Sequence, residues 1–247
     1  MRRIAPLLVA ASTALAAPVT AQDAFTPAQR DALDERIRSY ILENPELLIE
    51  ALEVLEARRQ QAQAAADGEL IASAREALFE DGYSHVFGNP EGDVVIVEFS
   101  DYRCGYCKRA HPEVMRLLEE DGNIALILKD FPVLGPDSAM ASAAAMAARM
   151  EDPERYEAFH EAMMTHRGQL DEAAIFGLAA QAGFDEAALR LAMASPEIEA
   201  RIRANYQLAQ ALRIEGTPGF VIGDQVLRGF APYDAMVQLV AQARAAD

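Results

Sequence analysis

Cysteine is nearly absent from this chain of 247 residues, which has only Cys104 and Cys107. Both lie in one Cys-Gly-Tyr-Cys run, so no cysteine framework staples distant parts of the fold, and a chain this long buries enough core without one. The four histidines (His85, His111, His160, His166) are scattered along the sequence and leave no four-ligand zinc set. Cations are few, 22 Lys and Arg against 39 Asp and Glu. That balance keeps a protein soluble and repels phosphate backbones, which excludes a nucleic-acid partner. The plain interpretation of the acidity is a solvated surface. Beyond the N-terminus, no segment is apolar for long enough to cross a bilayer.

The N-terminus itself is patterned. Arg2 and Arg3 precede an apolar stretch from Ile4 to Ala17, and Val19-Thr20-Ala21 forms a small-residue cleavage site. Residues 1–21 therefore read as a secretory signal peptide, which for this type of signal implies the oxidising bacterial periplasm. Its removal takes away two arginines and no acids, leaving a net charge of −19.

Residues 22–82 read as wholly helical. Leu33, Ile37 and Ile41 mark one apolar face, which Asn44-Pro45 interrupts; Leu48, Leu52 and Leu55 mark a second, and Ile71, Ala74 and Leu78 a third. Stripes this narrow must cover another surface, either the chain's own domain or a second copy, and both readings stay open.

From residue 83 the pattern is α/β. A strand is predicted near Ser84–Phe87, another over Val94–Ser100, a helix from Cys104 to about Glu120, and a strand over Ile124–Lys129. Residues 136–214 are helical again. Asp152-Pro153 and Ser195-Pro196 each supply an N-cap and a first-turn proline, and Gly183 closes one helix before Asp185 opens the next. Two short apolar runs around Gly223-Asp224 predict a hairpin, and a last helix ends the chain. The order is βαβ, a helical insertion, then a hairpin and a helix. Residues 83–135 and 215–247 can share one mixed sheet.

The two thiols stand three residues apart at a helix start, where the N-terminus favours a thiolate. Cys104 is the expected nucleophile and Cys107 the thiol that resolves the mixed disulfide, with Gly105 and Tyr106 tuning the thiolate between them. A structural disulfide across so small a loop would stabilise little. Cu(I) can be held by two thiolates alone, so copper handling stays open as the alternative. Glu98, a carboxylate in an apolar strand, is either a proton shuttle for Cys107 or an outward-facing residue on an edge strand. Thr217-Pro218 is a candidate cis peptide that would offer the Thr217 backbone to an extended substrate; otherwise it is a trans-proline starting an edge strand. Pro112 should kink the cysteine-led helix. His111 and the methionines Met140, Met146, Met150, Met163 and Met164 read as packing residues.

Three segments carry a resemblance: Val94–Cys107, Phe131–Ser138 and Gly216–Gly223 together resemble DsbA-family thioredoxin-fold proteins over about residues 83–245. The leader, with Ile41-Leu42-Glu43-Asn44-Pro45-Glu46, is similar to that of the ScsC-type (suppressor of copper sensitivity) branch. The resemblance implies a thioredoxin fold with an inserted helical domain. It implies Cys104 as attacking cysteine, Cys107 as its partner, Glu98 as the buried acid, Thr217-Pro218 as the cis-proline loop and Pro112 as the helix-kinking proline. It also implies no cofactor beyond the redox-active Cys104–Cys107 disulfide, and a homo-oligomer through residues 22–82. The function expected is a periplasmic thiol–disulfide oxidoreductase, acting as oxidase or isomerase on unfolded or misfolded secreted proteins and served by a membrane redox partner. DsbA carries Pro-His between its cysteines, whereas Gly-Tyr is similar to the pair in the DsbC isomerase. Cys104 is therefore expected to be less acidic than DsbA's cysteine, at about 3.5.

Overall fold

The computed structural model describes residues 25–246; the signal-peptide expectation lies outside them. The chain divides into two compact units between Arg58 and Arg59.

The first unit contains helix α1 (Pro27–Glu43) and the start of α2 (Glu46–Ser73). Thr26 caps α1 in a capping box with Gln29, and Pro27 opens its first turn. Asn44 ends it, its side-chain amide donating to the Tyr40 carbonyl at 2.8 Å. No residue of α1 is buried, and Leu33, Ile37, Leu48, Leu52 and Leu55 are all exposed.

The second unit holds a five-stranded mixed sheet. Strands β1 (His85–Gly88), β2 (Val94–Ser100), β3 (Ile124–Asp130), β4 (Gly219–Ile222) and β5 (Gln225–Arg228) lie in the order β1-β3-β2-β4-β5. β2 and β3 are parallel, joined by α4 (Gly105–Asp121), and the other pairings are antiparallel. Gly122 closes α4 in the left-handed conformation (φ 71°), and Gly223 (φ 54°) makes the two-residue hairpin turn between β4 and β5.

Alternation along the strands sorts side chains to two faces. Val94, Ile96, Leu126 and Leu128 pack with Val114 and Leu117 of α4 and with Met236 and Val240 of α10 (Tyr233–Ala246). Val97, Phe99, Ile127 and Val221 face the other way, against Ile71 of α2 and Leu78 of α3 (Arg75–Phe79). The C-terminal part of α2 is thus core, tied down further by Asp67, which accepts from Arg228 at 2.8 Å. The insertion between β3 and β4 comprises α5 (Pro136–Glu151), α6 (Pro153–Thr165), α7 (Glu172–Gln181), α8 (Glu186–Met193) and α9 (Pro196–Ala211). Asp152, Asp185 and Ser195 cap α6, α8 and α9 with their side chains.

One buried ion pair anchors α3 to the sheet. Lys129 is fully buried, and its ammonium donates to Asp81 at 2.5 Å and to the Ala77 carbonyl at 2.8 Å. Replacing Asp81 by alanine strands that charge, so Asp81→Ala should cost about 3–5 kcal/mol in urea unfolding. The Asp81→Ala, Lys129→Met double variant should recover most of the loss. A double variant no more stable than the single one would overturn this assignment.

Candidate active site

β2 runs out at Ser100, and a three-residue loop delivers Cys104 to the start of α4. Asp101 builds that loop. Its backbone carbonyl accepts from Cys104 N–H at 2.9 Å, and its fully buried carboxylate accepts from Arg103 N–H (2.8 Å), Val133 N–H (2.9 Å) and Ser138 Oγ–H (2.8 Å). One side chain therefore ties the cysteine loop to the Phe131–Ser138 segment. Nothing in the local sequence marks Asp101 for this role, because its Val133 and Ser138 partners lie more than thirty residues further on.

Cys104 is the N-cap residue of α4 and Cys107 sits one turn in, with no exposed surface. The two thiols have opposite electrostatics. Cys104 is pulled down to about 5, chiefly by the hydrogen bond from the Cys107 thiol, with help from Thr217 and the backbone N–H groups of Cys107 and Tyr106 that outweighs partial burial. Cys107 is pushed far above the ordinary thiol range by burial, then by its bond to Cys104 and by the Glu98 charge.

Glu98 lies on the central strand, not an edge, and is 3% exposed. Burial raises its carboxyl to about 7, and the negative charge of Cys104 adds to the rise, while Ser100 opposes it. Ser100 also moderates Cys107, so this one serine faces both groups. Across the parallel pairing, Ser100 is in register with Asp130, a second acid that burial lifts to about 7. A lysine and an acid closing an apolar run were the available signal for Asp130.

Thr217-Pro218 is cis, and the Thr217 carbonyl accepts from the Cys104 thiol at 3.2 Å. Gly105 and Tyr106 are exposed beside the sulfur. The fold thus brings Cys104, Cys107, Glu98, Thr217 and Pro218 together around the start of α4. Pro112 lies inside α4.

Three of the four histidines are not as dispersed as their sequence positions suggest. His160 is in ring contact with His111 (5.3 Å between centroids), and His85 joins the same aromatic cluster through Phe87 and Tyr156. Folding gathers them because β1, α4 and α6 meet there. His111 is packed, with its Nε2 2.5 Å from Glu161 of α6. No group of three or more His, Cys, Asp or Glu arranged for a metal occurs among the described residues.

Residues 80–242 match the family model described as "Thioredoxin", and residues 29–62 match "Copper resistance protein ScsC N-terminal domain". A thioredoxin-like oxidoreductase from Silicibacter pomeroyi is 42% identical, covering 70% of this chain and 99% of its own, with a TM-score of 0.67. Proteus mirabilis ScsC in a transitional conformation is 30% identical over 92% of this chain and 100% of its own (TM-score 0.66). Among curated proteins, the Na(+)/H(+) antiporter NhaA 1 of Salinispora arenicola is 29% identical over 161 residues, 64% of this chain. The chain spans only 24% of that antiporter's length.

A thioredoxin fold with an acidified cysteine at a helix start facing a cis-proline loop, and a second cysteine fully buried behind it, defines the thiol–disulfide oxidoreductases. The chain belongs to the DsbA family of thioredoxin-fold proteins, in its ScsC-like branch.

Proposed function

We propose that this protein is a periplasmic thiol–disulfide oxidoreductase that exchanges disulfides with unfolded or misfolded secreted proteins. The observation that carries the reading is the asymmetry of the two thiols: Cys104 is held at about 5 beside the Thr217 carbonyl of the cis-proline loop, and Cys107 waits fully buried. The Cys104 thiolate attacks a client sulfur, that disulfide breaks, and the leaving thiolate departs with the electron pair. Cys107 then loses its proton to Glu98 and attacks Cys104 Sγ, which frees the client thiol and leaves the Cys104–Cys107 disulfide. Glu98 suits this task because a carboxyl near 7 can take or return a proton at neutral pH. Thr217 and Pro218 hold the extended client by its backbone. A membrane redox partner restores the starting state.

The direction of exchange follows from the thiolate. A Cys104 near 5 stabilises the reduced form less than a cysteine at about 3.5 does. A glutathione titration should therefore give a potential well below about −120 mV. A potential at or above that value would refute the argument from the Gly-Tyr pair.

Copper handling is the second reading, favoured by the match of residues 29–62 to the ScsC N-terminal domain. Two-coordinate Cu(I) needs both thiolates, and Cys107 is strongly held as the thiol. Exchange is the better-supported chemistry.

We further propose that the leader joins copies of the chain. Leu48 (53% exposed), Leu52 (61%) and Leu55 (43%) stack along one α2 face that no other described part of the first unit covers. Sedimentation should show an oligomer that Leu48→Asp with Leu52→Asp returns to monomer. A wild-type protein that is monomeric throughout would sink this idea and leave the exchange chemistry untouched.

A further inference from the structure

The thiols and the cis-proline loop leave one neighbouring surface unexplained. Tyr106 is 58% exposed, and its ring centroid lies 6.5 Å from that of Phe230. The Arg109 guanidinium sits over both rings, 5.1 Å from the Tyr106 centroid and 5.9 Å from the Phe230 centroid. Arg109 is exposed and has no carboxylate partner among the described residues. Its neighbours Arg103 and Arg116, by contrast, are paired with Asp137 and Glu120. Two aromatic faces hold the planar fork in place and leave its N–H edge open to an incoming carboxylate.

The backbone ties this surface to the reacting sulfur on both sides. Tyr106 is two residues from Cys104 at the start of α4. Phe230 follows Gly229, whose N–H donates to the Pro218 carbonyl at 3.0 Å, and Thr217 accepts from the Cys104 thiol. A client laid along Thr217 with its sulfur at Cys104 must place its next residues over Tyr106, Arg109 and Phe230. The protein as a whole is acidic and disfavours acidic clients at long range, so a single open cation here acts on the residue beside the reacting cysteine.

We propose that Tyr106, Arg109 and Phe230 form a client-docking platform that selects a disulfide flanked by an acidic side chain. The proposal deepens the exchange reading and rests on it.

The test uses the reduced full chain and two peptides, Glu-Cys and Lys-Cys, that are otherwise identical. Each peptide cysteine is activated as a mixed disulfide with thionitrobenzoate. The Cys104 thiolate bonds to the peptide sulfur, the peptide–thionitrobenzoate bond breaks, and the coloured thiolate leaves with the electron pair. Because the readout is a ratio between peptides, any change in the intrinsic nucleophilicity of Cys104 cancels. The wild-type protein should favour Glu-Cys by roughly 1.5-fold to fivefold at low salt, fading at high salt. Arg109→Glu should invert the ratio; should that variant fail to fold, Arg109→Gln should bring it close to one. A ratio unchanged by these substitutions overturns the platform. If the wild-type protein reacts no faster than Cys104→Ala with either peptide, it is the exchange reading that fails.

Discussion

Replacing Cys104 by alanine should drop the reduction of insulin disulfides in dithiothreitol to the uncatalysed rate, while Cys107→Ala should attack its clients and stay attached to them. The two outcomes differ because the thiols occupy different environments, not because the residue types differ. Cys104 is a thiolate at neutral pH, held at about 5 first of all by the Cys107 thiol. Its alkylation rate should therefore rise with pH through a midpoint near 5 and be flat from pH 6 to 8. Removing Cys107 deletes the strongest of the lowering contacts, so in Cys107→Ala that midpoint should move up toward the ordinary thiol value of about 8.5. Mixed disulfides captured on Cys107→Ala and identified by mass spectrometry would name the clients. Equal and slow alkylation of both thiols near neutral pH would remove the basis for a nucleophile and resolver pair.

The second large effect concerns stability. Burial raises Glu98 from 4.5 to about 7. A carboxyl whose folded value lies above its unfolded one favours folding fully below the unfolded value, and that contribution is lost as pH rises through the folded value. At pH 8 the wild-type protein must ionise Glu98 inside the sheet, whereas Glu98→Gln has nothing to ionise. The variant should therefore be more stable than wild type by about 3 kcal/mol above pH 7, with the gap closing between pH 7 and 4.5. Asp130, also lifted to about 7, is present in both proteins and cancels in the difference. Urea unfolding of the reduced proteins across that range measures the gap, and a pH-independent difference would discard the buried neutral acid. The same substitution should slow client release by Cys107 on the order of 100-fold, since no base remains beside the buried thiol. A gain in stability coupled to a loss of turnover is what a buried acid kept for proton transfer predicts.

Local chemistry was legible where its cause is local. β2 was read as Val94–Ser100 and is found there; the caps Asp152, Asp185 and Ser195, the closing Gly183 and the Gly223-Asp224 turn were also read correctly. Each depends on residues within a turn of one another. The leader was harder. Its second apolar face and Ile71 of the third belong to one 28-residue helix, because the Ala, Gln, Glu and Arg between them are strong helix formers with no proline to stop it, whereas Leu78 lies in the next helix. The faces nevertheless have different fates: Ile71 and Leu78 are core, while Leu48 and Leu52 are exposed. The sequence leaves docking onto the chain's own domain and pairing with a second copy both open for the leader; its C-terminal end, with Ile71 and Leu78, takes the first course within the second unit.

Residue order alone marks two sulfur atoms as the candidates to react, several helix caps and strand limits, and an acid in the strand before the cysteines. Propensity, capping and the spacing of two thiols all act over a few residues, so they survive without a fold. Only the tertiary structure decided that β2 is central, which turns Glu98 from a surface residue into a buried acid. It also brought Thr217 across 113 residues to Cys104, and Phe230 to Tyr106 and Arg109. Those placements follow from strand order and from how the insertion returns the chain to the sheet. Sheet pairing and long-range packing settle them, and no window of sequence holds both partners.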